Sequence, residues 1–278
     1  MFDVVSNYFT NGWQALILVS VVCVCLTTGV LSPIVVSSRM AFFSDAVAHS
    51  TLAGVALGLL LSFDNPLTLM VGVAITVALI IASLRQVTTL GLDTLLGVAM
   101  AGSLAAGLLM YHAAEKGYAG LHNYLFGQVA LLGPTDMWAL VLCAVVAVVV
   151  GARWGNRFLL LAVSRPLAQA RGVPVARYEF LLIVLLGLVV SLSVRAVGLL
   201  LVNALLIVPA ATSRNLARSV RGMFWGSVGV ALFAGLCGLF VGDYLSLPPA
   251  PAIVVVAVLL FIGSQALRPL LGHHVAEG

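Results

Sequence analysis

The stretch Leu140-Val-Leu-Cys-Ala-Val-Val-Ala-Val-Val-Val150 decides the architecture of this chain. It carries no charge and no polar/apolar alternation. A strand of a membrane β-barrel alternates over about ten residues, so this run is not one. It is the middle of an apolar segment at 135–151, and eight more segments resemble it: 13–36, 45–62, 66–83, 94–112, 178–194, 196–212, 223–241 and 251–267. Each approaches the roughly 20 apolar residues that a helix needs to cross about 30 Å of hydrocarbon. In lipid the backbone must bond within its own segment, so the runs are expected to be helices.

Composition agrees. Hydrophobic residues make up 62% of the 278 and charged residues 8%, against about 25% charged in a soluble domain. So few charges cannot clothe a water-facing surface. The loops between the runs are short. The expectation is an all-α, polytopic membrane protein with about nine transmembrane helices, forming one domain over 1–278. The first run lacks the basic n-region of a signal peptide, since Met1 to Thr10 contains only Asp3 among charges, and it reads as a retained helix. The net charge of +4 is not a nucleic-acid signature, because the basic residues are nearly all arginines at the ends of apolar runs. The four cysteines, Cys23, Cys25, Cys143 and Cys237, lie inside apolar runs without metal or redox spacing, and read as small packing residues.

Arginine placement sets the orientation. With the N-terminus outside, the inner loops hold Arg39, Arg85, Arg153, Arg157, Arg165, Arg171, Arg177, Arg214, Arg218, Arg221 and Arg268. Only Lys116 and Arg195 fall outside. Cytoplasmic loops carry the excess of Lys and Arg, so N-outside and C-inside is expected. The count depends on 178–194 and 196–212 being two passes; a single bent pass would flip the C-terminal half. Two loops are longer than the rest. The outer loop 113–134 is apolar enough for a short re-entrant or surface helix at Tyr118 to Gly127. The inner loop 152–177 is basic and interrupted by Pro166 and Pro174. Between the prolines Leu167 to Arg171 can form a short helix closed by Gly172, well placed to dock on a soluble partner.

Lys116 is the only lysine and lies in no GxxxxGK[ST] context, so there is no P-loop. HExxH and GxSxG are also missing, and no nucleophile–base spacing suggests an enzyme. The sharpest local feature is Ser44-Asp45-Ala46-Val47-Ala48-His49-Ser50. Asp45 and His49 stand one helical turn apart on one face. A carboxylate and an imidazole so placed can chelate a divalent metal, or they can hydrogen-bond to lock helix packing. Ionisable groups in membrane helices are costly and usually face an interior or a water path. Gly54 and Gly58 permit close helix approach. Asn203 and Pro209 share one apolar run; they could line a pore, or Asn203 could bond to a neighbouring helix while Pro209 frees a carbonyl. Asp93 reads as a first-turn acid of its helix. His112, His122, His273 and His274 read as surface histidines.

These residues resemble one family. Arg39-Met-Ala-Phe-Phe-Ser-Asp-Ala-Val-Ala-His-Ser-Thr-Leu-Ala-Gly-Val-Ala-Leu-Gly58 resembles the signature of the ABC-3 family, the permease subunits of bacterial zinc and manganese ABC importers. Leu92-Asp-Thr-Leu-Leu-Gly, Tyr124-Leu-Phe-Gly and Val197-Gly-Leu-Leu-Leu-Val-Asn-Ala-Leu-Leu-Ile-Val-Pro-Ala-Ala-Thr212 are similar to further blocks in the family's order, and the match covers roughly 30–265. Among subfamilies the zinc permeases are most similar. The resemblance implies a fold like the vitamin B12-type (type II) importers and a homodimer in the cytoplasmic membrane. It also implies a cytoplasmic ATP-binding subunit and an extracytoplasmic metal-binding protein as partners. No permanent cofactor is implied, only transported Zn²⁺, Mn²⁺ or Fe²⁺. The family's conduit residues fall on Asp45 and His49. Its ATPase-coupling helix falls on Ser164, Arg165, Pro166, Leu167, Ala168, Gln169, Ala170, Arg171 and Gly172. Three departures stand out. The coupling stretch lacks its usual acid. Ser246 and Ala250 replace an Asp and a Gly in the last outer loop. Met100-Ala-Gly-Ser follows the Asp-Thr-Leu-Leu-Gly block, where zinc permeases can carry a histidine.

The implied function is ATP-driven import of a divalent metal, with the ion moving through a pore at a dimer interface. A secondary transporter would use inverted repeats and broken helices, and no convincing repeat is present. A scaffold would tolerate loss of Asp45 and His49.

Overall fold

The computed structural model describes residues 12–63, 66–113 and 134–268. Among these every regular element is helical. The helices are α1 (Gly12–Ser37), α2 (Phe43–Leu60), α3 (Pro66–Val87), α4 (Leu92–Ala113), α5 (Pro134–Val163), α6 (Arg165–Ala170), α7 (Val175–Val197), α8 (Leu199–Leu216), α9 (Val220–Tyr244) and α10 (Pro249–Leu267). All but the short α6 are long and apolar enough to cross a membrane, nine among the described residues. The expected runs and the helices correspond one to one.

One boundary differs from expectation. The apolar run 135–151 stops near the membrane edge, but α5 continues to Val163, into the stretch read as inner loop. At 30 residues the helix spans about 45 Å, more than the roughly 30 Å of hydrocarbon. Hydropathy records where lipid ends, not where a helix ends. The extension is held by tertiary packing. Trp154 and Phe158 meet the Tyr178 ring of α7 edge-on, with centroids 6.5 and 5.6 Å apart, and Arg157 donates to the Tyr178 hydroxyl.

The abutting runs 178–194 and 196–212 are two helices, broken at Gly198 with φ 85° and ψ 163°. That conformation is open essentially to glycine alone. The chain reverses there. The end of α7 lies beside the start of α5, where Arg195 pairs with Asp136 at 2.6 Å. The end of α8 lies at the other end of the bundle, where Ser213 Oγ donates to the Met223 carbonyl of α9 at 2.8 Å. The ion pair also explains why an arginine is tolerated at the end otherwise poor in them.

The helices pack as two groups. In one, α2 lies against α3 and α4, and α3 against α7; in the other, α8 and α9 pack on each other and on both α1 and α10, with α5 along α1. Close approach within each group depends on small residues. A Cβ at Gly54 would lie 2.6 Å from the Met70 Cα of α3, and one at Gly238 2.4 Å from the Ile253 Cα of α10. Buried hydroxyls bond back to their own helix, as Thr27 to the Cys23 carbonyl and Thr28 to that of Val24, both at 2.7 Å. At Pro209 the ladder of α8 cannot be complete; the next amide, Ala210 N–H, donates to Ser32 Oγ of α1 at 3.0 Å.

Candidate functional site

The chain enters α2 through a tight turn. Arg39 takes φ 54°, Met40 N–H returns to the Val35 carbonyl at 3.0 Å, and Phe43 N–H to that of Met40 at 3.0 Å. Phe43, Ala46 and Val47 are buried and fix the helix start, which leaves Asp45 and His49 half-buried on one face. Depth follows from the neighbours. Gly54 backs onto Met70 and Gly107 onto Ala53. Counting rises of 1.5 Å along each helix puts Asp45 about 10–12 Å inside the level where α3 ends and α4 begins. The apolar-run edges alone put it at the boundary.

Asn203, from the second packing group, donates its amide Nδ2 to Asp45 Oδ1. The site therefore lies on the seam where α8 meets α2. Among the described residues no hydrogen bond joins Asp45 to His49, so the spacing does not serve as an Asp–His packing lock. Instead His49 Nδ1 and Asn203 Oδ1 are buried without a partner. Four buried side-chain atoms among the described residues share that condition, the others being Gln14 Oε1 and Thr212 Oγ1. Two of the four thus flank one carboxylate. An orphaned buried polar atom costs about 1–3 kcal/mol, and the seam holds a carboxylate oxygen, an amide oxygen and an imidazole nitrogen. No cluster of three or more His, Cys, Asp or Glu side chains exists among the described residues. A cation here would complete its shell with water or with donors from another chain.

Pro209 is buried one and a half turns beyond Asn203. His112 is exposed at the end of α4 and Asp93 exposed in its first turn. The outer-loop segment 114–133, with His122 and Tyr124-Leu-Phe-Gly, and the tail histidines His273 and His274 lie outside the described residues.

The stretch Ser164 to Gly172 folds as its sequence suggests. Ser164 caps α6, its hydroxyl accepting from Leu167 N–H at 3.4 Å, with Pro166 in the first turn. Gly172 takes φ 72° and ends the helix as read from sequence. The helix starts two residues earlier than expected because the serine cap, rather than Pro166, sets its first turn. Ala168 is fully buried while Leu167 remains exposed. Arg165 pairs with Glu179 of α7, so an acid absent from the coupling stretch is supplied from the next helix. Sequence reasoning missed Glu179 and Asp136; the available signal was an opposite charge at a facing helix end. A cavity of about 460 Å³ separates Ser164, Arg165 and Pro166 from Ser38 and Met40, in the turn that leads to Asp45.

Known proteins share this architecture. The ABC 3 transport family model matches residues 7–268. The high-affinity zinc uptake system membrane protein ZnuB of Haemophilus influenzae is 30% identical over 243 residues, covering 87% of this chain and 93% of that protein. The manganese import system permease protein ScaB of Streptococcus gordonii is 28% identical over 255 residues, covering 91% and 90%. Among solved structures, PsaBC from Streptococcus pneumoniae in complex with Fab superposes with a TM-score of 0.83 at 26% identity, covering 98% of each chain. With the family's model and its members' lengths matched almost end to end, the chain belongs to the ABC 3 transport family.

Proposed function

We propose that this chain is the membrane permease of an ATP-driven importer that carries Zn²⁺, working as a homodimer whose interface forms the pore. The observation that carries the reading is the pair of orphaned donors, His49 Nδ1 and Asn203 Oδ1, beside the Asp45 carboxylate at membrane depth. A dehydrating cation would satisfy all three. A sparse ligand set suits a transit site, since an ion must leave as readily as it enters. The site's seam position gives it a way to change, because relative movement of the two packing groups would separate Asn203 from Asp45. The α6 helix, Ser164 to Gly172, docks in the cytoplasmic ATP-binding subunit in this reading. Its push reaches the bundle through α5 and α7, the helices it packs on. An extracytoplasmic metal-binding protein delivers the ion, and the chain sits N-outside and C-inside in the bacterial inner membrane.

Mn²⁺ is the second reading. Two of the three donors are oxygens, which suit manganese as well as zinc, and ScaB is named for manganese import.

The test is uptake of radiolabelled zinc and manganese by cells carrying Asp45→Ala, His49→Ala and Asn203→Leu, each at wild-type abundance in the membrane. Removing a donor is expected to lower uptake at least about tenfold. Wild-type rates in both Asp45→Ala and His49→Ala would remove the assigned conduit. Uptake should also fall in acid, because holding the ion needs neutral imidazole and ionised carboxylate. Inactivating the partner ATPase should abolish uptake; persistence would mean a secondary transporter.

A further inference from the structure

Helices α5 and α9 both pack on α1 and leave a groove between them of about 390 Å³. Asn156 and Arg221 are its polar members. They lie between the apolar Leu159 and Val220 at the arginine-rich end and Gly151, Ala152 and Phe224 toward the bundle middle, with Trp225 at the edge. Trp225 is 63% exposed, as an indole at a membrane–water boundary is. Gly155 keeps the floor open, whereas Gly151 lets α5 close on α1, because a Cβ there would run into the Val30 side chain. A Cβ at Gly155 would meet only the Phe224 ring, at 3.6 Å.

The charge around this end has one sign. Among the described residues it carries eleven arginines against Asp93 and Glu179, and Glu179 is taken by Arg165. Arg221 has no carboxylate partner among the described residues.

We propose that this groove binds one anionic phospholipid of the inner leaflet, of the phosphatidylglycerol class. The phosphate lies against the Arg221 guanidinium and the Asn156 amide, and an acyl chain lies along Gly151, Gly155 and Phe224. Arg221 supplies the charge and Gly155 supplies the room. A soluble anion would find the first and not need the second. Because α5 runs on into Ser164 and α6, the lipid ties α5 to α9 just where a push from the cytoplasmic side would be received. The site does not depend on the metal reading, and its test does not read metal.

The experiment is native mass spectrometry of the full-length chain purified in detergent. Phosphatidylglycerol or phosphatidylcholine is titrated in and then stripped stepwise. Wild type is expected to retain one phosphatidylglycerol per chain, in preference to phosphatidylcholine. Arg221→Gln should weaken that retention about fivefold, the worth of one basic residue near an anionic surface. Gly155→Leu, which fills the groove and leaves Arg221 in place, should abolish it. Arg218→Gln, an exposed arginine on the same end but outside the groove, should leave it unchanged. Equal retention of the two lipids would overturn the proposal. So would equal losses in Arg218→Gln and Arg221→Gln, which mean general surface charge. Displacement of the lipid by millimolar inorganic phosphate would reassign the groove as a simple anion site and also overturn it. Arg221 is exposed, so its substitution tests the idea even if Gly155→Leu fails to fold.

Discussion

Helices α2 and α10 are both membrane spans, yet they are opposites. In α2, 72% of the spanning window lies inside the bundle; in α10, 22% does. The more buried helix is the less apolar of the two, with Asp45, His49, Ser44, Ser50 and Thr51 against a nearly uninterrupted run of Val, Ala, Leu and Ile. In a soluble protein the order would be reversed. In a bilayer the solvent is as apolar as the core, so hydrophobicity does not sort inside from outside. Polar groups are driven inward to find partners, and small residues let the backbones close around them. The helix that carries Asp45 and His49 is therefore the one with the weakest membrane signal.

The contrast is easiest to break at the glycines. Gly54→Leu would drive a side chain into the Met70 backbone, and the chain should vanish from the membrane fraction. Gly263→Leu on α10, where a Cβ meets nothing within 4 Å, should leave abundance unchanged. Loss at Gly263 instead would mean that the outer face of α10 is covered by another chain. Truncation probes the same contrast more gently. Leu52→Ala in α2, 7% exposed, should lower stability by about 2–3 kcal/mol, measured as unfolding in mixed micelles. Leu259→Ala in α10, 60% exposed, should stay within about 0.5 kcal/mol. Equal losses at the two positions would erase the distinction drawn between these helices. A smaller loss than that of Leu52→Ala is expected at the periphery. Arg195→Gln should cost about 1 kcal/mol, as for a partly exposed ion pair. The charge-swapped double variant of Asp136 and Arg195 should recover part of it; no recovery would mean that the pair is incidental.

The short helix at Ser164 to Gly172 was legible because its signals are local. A serine before an Arg-Pro pair, a good helix former and a glycine in the left-handed region act within a single turn, and Ser164 and Gly172 behave as such residues do in isolation. Asp45 and His49 were legible as a pair for the same reason, since i,i+4 spacing is a property of one helix. Their meaning was not legible. Spacing alone left a metal ligand and a packing lock both open, and it gave no sign that Asn203, 158 residues away in sequence, bonds to Asp45.

From its sequence this chain was already bound to be a bundle of about nine apolar helices, with one basic end and a short capped helix there. Those features depend on residue type and short spacing, and the bilayer enforces them on each segment separately. Tertiary structure alone decided that the chain doubles back at Gly198, that α5 outruns its apolar segment, and that Asp45 lies inside rather than at the edge. It also brought a second helix's amide to that carboxylate. Each of these turns on which helix stands beside which, and helix partners in lipid are chosen by shape and polar contact rather than by hydropathy.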